Sequence, residues 1–351
     1  MNNNNLTNIF LDGILVQVKV CYWSGAKMLT ASDLGLKEEE LPEAFKLGKK
    51  YLVPPEVIRA FRAVESCARR RVEESSFVFP FGNAKFVPKR KFPSMLKDIK
   101  EDRDRYNRLV DDLIDKYGTY RERMIPIYRE AAEHAWTLQK TDPATFGIEY
   151  NPEKEKAEFV QQFMSKIEAA YPPVDSLRQR FSLSWQVYEI AAPRMEEAGS
   201  DNLAQDLTER AIAEEEYRHQ IHAQIGDFVS DVIRTLRSKT TDMCGRILEN
   251  LKAGKVIRSQ SLESLGNFIT QFKEMNFVGD ERIEAMLENL HKEVLTRYTP
   301  EDYKTEEAQE VLKRKIGEIV EAASDVTDIS GITGEYKRKI SWKEEEVAVN
   351  A

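Results

Sequence analysis

Two segments of the chain, Glu216-Tyr217-Arg218-His219 and Glu288-Asn289-Leu290-His291, share the spacing Glu-x-x-His. On a helix this spacing sets a carboxylate and an imidazole one turn apart on one face. Two such pairs joined by two further glutamates build the di-iron centre of ferritin-like bundles. His222, one turn beyond His219, is a further candidate ligand. Composition accounts for the pairs without a metal, because glutamate is abundant, the second pair falls on a short helix, and no two lone glutamates stand out as partners. The reading is therefore no metal and no other cofactor. No catalytic residue emerges either. Ala253-Gly254-Lys255 lacks the upstream glycine and the following hydroxyl of a phosphate-binding loop, and dinucleotide, nucleophile-elbow and zinc-protease signatures are missing. The chain reads as a non-enzyme.

A second group of residues could bind rather than react. Residues 59–108 carry fourteen basic and seven acidic side chains, a net of +7, against a whole-chain net of -8, so the remainder holds -15. The basic clusters are Arg69, Arg70 and Arg71, then Lys85, Lys89, Arg90 and Lys91, interleaved with phenylalanines that include Phe79 and Phe81. Cations beside aromatic rings suit a single-stranded nucleic acid. In an acidic chain they suit an acidic protein surface better, so these nine residues are expected to form a partner-docking face.

The elements that must position these groups are mostly helices. Ile14–Tyr22 alternates apolar and polar residues as a half-buried strand does, and Trp23-Ser24-Gly25 ends it as a turn. Pro54-Pro55 opens a helix with Val57, Phe61, Val64, Ala68 and Val72 on one face; the Phe77–Pro88 stretch, broken by proline and glycine, suits short strands or an aromatic loop. From Ile99 to Leu138 a stripe at alternating spacings of four and three, interrupted only by Arg103 and His134, predicts a coiled-coil-like helix of about 60 Å at roughly 1.5 Å per residue, kinked at Pro126. His134 reads as a bundle-end histidine. A second stripe from Val160 to Met195 could pair with it antiparallel, although Pro172-Pro173 interrupts it, and 181–188 also alternates like a strand; helix is the preferred reading there. A third helix is expected over 202–237, followed by shorter ones at 241–253, 261–275, 280–295 and 300–323, the last with Thr299 as its cap.

The fold class is thus mainly α: an elongated antiparallel coiled-coil-like helical hairpin or bundle (93–240), a small mixed α/β N-terminal module (1–92), a C-terminal helical module (241–329) and a mobile or partner-docked tail (330–351). No apolar run approaches the 18 or so residues that cross a bilayer, and no signal peptide is recognisable, so a cytoplasmic protein without stable membrane insertion is expected. Three cysteines without metal-ligand spacing indicate neither a disulfide framework nor a zinc site.

The motifs Trp23-Ser24-Gly25, Asp33-Leu34-Gly35, Gly48-Lys49, Leu52-Val53-Pro54, the loop from Phe79 to Pro88, the long helix after it and the aromatic segment Phe181–Tyr188 follow one another in a recognisable order. Over about residues 10–195 the chain resembles a family of uncharacterised bacterial and phage proteins classed as a domain of unknown function. The resemblance implies partners rather than a reaction: a MoxR-type AAA+ ATPase and a von Willebrand factor A protein encoded alongside, often on phages or mobile elements. It transfers no catalytic residue. A helical scaffold or adaptor acting with the ATPase, able to form a homo-oligomer, is the resulting expectation. The alternatives are a membrane-active hairpin of the pore-forming kind and a di-iron carboxylate enzyme.

Overall fold

The computed structural model describes residues 9–34, 47–80, 82–138, 151–188, 203–255, 257–299 and 302–338. In chain order its elements are α1 (Ile9–Asp12), β1 (Gly13–Cys21), β2 (Ala26–Met28), β3 (Lys49–Tyr51), α2 (Pro55–Glu74), β4 (Phe77–Val78), β5 (Lys85–Pro88), α3 (Phe92–Asp115) and α4 (Tyr117–Leu138). There follow α5 (Pro152–Ala170), α6 (Val174–Leu177), β6 (Ser182–Tyr188), α7 (Leu203–Lys252), α8 (Ser259–Met275), α9 (Glu281–Leu290), α10 (Glu306–Ser324) and α11 (329–338). The protein is mainly helical, with one four-stranded sheet in the order β4-β5-β1-β6 and a β2-β3 ribbon. Among the described residues no helix is long and apolar enough to cross a membrane.

The chain divides into two compact units. The first comprises Met1–Gln17, Val72–Lys97 and Gln186–Ala351. Its largely aliphatic core contains an aromatic cluster: Phe79 packs edge-on to Phe228 (ring centroids 5.1 Å apart), Phe86 lies 4.9 Å from Phe277, and Tyr336 meets Phe277 edge-on at 5.7 Å. β5 pairs antiparallel with both β1 and β4, placing Phe86 opposite Leu15 and Phe77, which directs these side chains into the cluster.

The second unit comprises Val18–Arg71 and Asp98–Trp185. On α2, Phe61, Val64, Ala68 and Val72 are buried as their spacing predicts; the last already belongs to the first unit. Phe61 contacts Tyr106 and Phe181, and the Tyr106 hydroxyl donates to the Cys21 carbonyl at 2.5 Å. α4 and α5 pack antiparallel, with ring contacts Tyr117–Tyr171, Tyr128–Phe163 and Trp136–Phe159 running in opposite sequence order. Asn151 caps α5 by accepting from the amides of Glu153 and Lys154, with Pro152 at the first helical position.

Several expectations need correction. The stripe beginning at Ile99 is divided at Lys116 rather than at Pro126, which lies within α4. Its phase holds through buried Met124, then slips: Ile127 is 53% exposed while Ala132 is fully buried, because a real helix repeats at 3.6 rather than 3.5 residues per turn. Residues 182–188 form a strand and not a helix: Pro172-Pro173 ends α5, and Phe181 and Leu183 are buried while Ser182 and Ser184 face solvent. The helices expected over 202–237 and 241–253 are one, α7, 50 residues and about 75 Å long. It runs on because no proline or glycine separates the two, and Thr240 at the joint satisfies its hydroxyl on the Leu236 carbonyl. The last long helix starts at Glu306, not at Pro300; Asp302 accepts from both the amide and the hydroxyl of Thr299 and forms a separate turn, so Thr305 becomes the cap. The expected tail begins as α11, with Ile329, Thr333 and Tyr336 buried.

Candidate partner-docking site

β5 ends at buried Pro88, and the chain turns into α3 through Lys89, Arg90 and Lys91. Two backbone bonds fix this corner: the Lys89 amide donates to the Asp12 carbonyl and the Lys91 amide to the Pro88 carbonyl. The turn drives Lys89 and Arg90 outward; both are exposed, and among the described residues neither has a hydrogen-bonded or ion-paired side chain. Lys85 on β5 is also without an ion pair among the described residues. Lys91 behaves differently. Its Nζ lies 2.8 Å from Glu274 Oε2, and it is only 16% exposed, so it ties the corner to the end of α8.

Lys89 and Arg90 line a cleft of about 640 Å³ in the first unit, floored by Leu11, Pro88 and Phe277. The opposite wall is the face of α9 that carries Glu281, Glu284 and Glu288 at spacings of three and four. Most of that acid is answered internally. Asn276 donates to Glu284 at 2.6 Å, and Lys273 donates to Glu288. That hydrogen bond, followed by the fields of Lys273 and Lys292, holds the Glu288 carboxyl below the usual glutamate range. Among the described residues Glu281 alone of the three has no side-chain partner. The charges left for an incoming group are therefore mainly the two cations at the corner.

The other described residues of the expected docking face have their own partners. In the second unit Arg69 pairs with Glu65 one turn away, and Arg71 donates to the Asp98 carbonyl at 2.7 Å and lies 3.3 Å from Asp102. Arg70 is exposed. Phe79 is no surface anchor: at 2% exposure it belongs to the aromatic core, where Phe86 and Phe228 complete its packing. Phe81 lies outside the described residues. Sequence alone could not tell which phenylalanines of this stretch turn inward, because the cluster is completed by Phe228 and Phe277 from far along the chain.

The Glu-x-x-His pairs are not brought together by anything described. Glu288 is engaged by its lysines, and His291 stands exposed at the start of a π-helical turn, His291–Leu295, that ends α9. The side chains of Glu216, His219 and His222 on α7 lie outside the described residues, and among the described ones no His/Cys/Asp/Glu cluster has metal-ligand geometry. The acidic α9 wall was not singled out from sequence, although Asp280 as a cap followed by glutamates at 281, 284 and 288 is a legible signal.

The model of a protein family described as Protein of unknown function (DUF3150) matches residues 11–313. The match reaches well beyond the N-terminal motifs and into α10. No curated protein and no solved structure matches the chain.

Proposed function

We propose that this chain, which belongs to the DUF3150 family of proteins of unknown function, is a non-enzymatic helical scaffold or adaptor that works with a MoxR-type AAA+ ATPase and a von Willebrand factor A protein. The setting is a phage or mobile-element system, and the family resemblance supports both the setting and the partners. One observation carries the docking role: at a cleft where nearly every carboxylate has an internal partner, Lys89 and Arg90 have none among the described residues. Ion pairs that hold a fold together are satisfied within it, whereas cations left open at a corner are available to steer and pair with an acidic partner. The antiparallel packing of α4 on α5 supports an elongated, coiled-coil-like hairpin as the scaffold's second working part.

The test is a double reversal, Lys89→Glu with Arg90→Glu, which leaves the Lys91–Glu274 tie intact. Exposed charges contribute about 1 kcal/mol or less each, so affinity for the ATPase should fall roughly tenfold, with a shallower salt dependence, by calorimetric titration. Unchanged ATPase affinity would remove this corner from the interface, and a simultaneous loss of single-stranded DNA or RNA binding would assign it to nucleic acid.

A further inference from the structure

A second groove in the first unit, about 650 Å³, is lined on one side by Ser76, Phe77, Val78 and Pro80 and on the other by α7. Its makeup differs from the cation corner in three respects. Val78 is 73% exposed, the most exposed large apolar side chain among the described residues, and it stands over a floor of buried Phe77, Phe228 and Val232. β4 is the terminal strand of its sheet and is paired only with β5, so the peptide groups along its outer edge have no strand partner. On α7, Asp227, Asp231 and Thr235 recur at spacings of four along an exposed row that faces the groove.

The charges of this groove are graded. Glu73 and Asp227 form no ion pair or hydrogen bond through their side chains among the described residues, whereas Asp231 is held by Arg234 at 3.1 Å. At the far end Lys239 forms no ion pair or hydrogen bond among the described residues; burial lowers its pKa and the field of Glu74 partly offsets this. From Asp227 to Lys239 the helix rises about 18 Å at 1.5 Å per residue, the span of about five residues of extended chain at 3.3 Å each.

We infer that this groove receives an extended, basic segment of a partner protein. The segment lies along α7 for about five residues and bonds through its main chain to the free edge of the two-residue strand β4, an apolar side chain covers Val78, and a lysine or arginine pairs with Glu73 and Asp227. Main-chain bonds to an exposed edge give such a segment its affinity, while the alternating side chains and the paired charge select it. The groove does not depend on the ATPase reading. It gives the first unit a second face, recognising the opposite charge to the corner at Lys89 and Arg90.

The experiment uses the full chain and two acetylated, amidated, fluorescently labelled peptides, Lys-Val-Thr-Val-Thr and Glu-Val-Thr-Val-Thr, read by anisotropy. The lysine peptide should bind saturably and at least tenfold tighter than the glutamate peptide. Val78→Asp should weaken it about tenfold, and Glu73→Lys with Asp227→Lys should reverse the preference between the two. All three positions are exposed, so circular dichroism should be unchanged, and Lys89→Glu with Arg90→Glu should leave peptide binding as it was. Equal binding of the two peptides, no saturation up to millimolar concentration, or full retention in Val78→Asp would each overturn the assignment.

Discussion

Arg237 and Asp280 form a two-pronged ion pair in the core of the first unit: Nε lies 2.6 Å from Oδ2 and Nη2 lies 3.1 Å from Oδ1, at side-chain exposures of 2% and 0%. The same guanidinium holds Asp328 through two further bonds, at 2.6 and 3.0 Å, and donates to the Asp325 carbonyl. Asp280 in turn caps α9 by accepting from the Ile283 amide. One buried cation thereby fastens the start of α9 and the approach to α11 onto the middle of α7.

Asp280→Ala should therefore be severe. Removing Asp280 leaves the buried Nε of Arg237 without an acceptor, takes away the most deeply buried counter-charge and deletes a helix cap, for a loss of about 3–5 kcal/mol. Urea denaturation followed by circular dichroism should show the midpoint falling sharply; a loss below about 1 kcal/mol would mean that Arg237 finds other acceptors.

The pair formed by Arg71 and Asp102 should behave in the opposite way. Asp102 is buried, its Oδ2 accepts no hydrogen bond, and burial raises its pKa despite the nearby guanidinium. Its ionised form is costly here, so Asp102→Asn should change stability at pH 7 by less than about 1 kcal/mol, in either direction. The same denaturation assay compares the two sites directly.

Acid should loosen the fastening of α11. Hydrogen bonds from Arg237 hold the Asp328 carboxyl below its ordinary range. Because the folded value lies under the unfolded value of about 3.9, the stabilisation is complete above about pH 4 and is lost as pH falls through the folded value. In wild type the urea midpoint should fall through this acid window, and Asp328→Asn should flatten that part of the curve while lowering the midpoint at pH 7.

Lys91→Glu should separate fold from docking. It places a carboxylate beside Glu274, so thermal stability should fall by about 1 kcal/mol, whereas Lys89→Glu with Arg90→Glu should leave it within about 0.5 kcal/mol. Equal thermal shifts in the two proteins would contradict the assignment of Lys91 as a tie.

Gly25, the turn that ends the first strand, should resist substitution. Its φ is +62°, and a Cβ there would lie 2.7 Å from Val53 Cγ2 and 2.8 Å from Ile58. Gly25→Ala should cost about 1–3 kcal/mol from backbone strain and overpacking together, measured as a lowered urea midpoint.

Local chemistry by itself determined a good part of this protein. The alternation of 14–22, the turn at Gly25, the buried face of α2 and the Asn151-Pro152 start of α5 were legible because each depends on neighbours within a few residues. The basic corner was legible as composition. Which of its cations are free was not, since Lys91 is spent on Glu274, 183 residues away, and Arg71 on Asp98 and Asp102. Tertiary structure also decided the strand at 182–188, where an alternating and a helical pattern coincide and only packing chooses between them. It joined two expected helices into α7, and it buried Phe79 by bringing Phe228 to it. Periodicity tells a segment that it has an apolar face, but the partner for that face, and the counter-charge for each exposed ion, come from residues whose distance in sequence carries no signal.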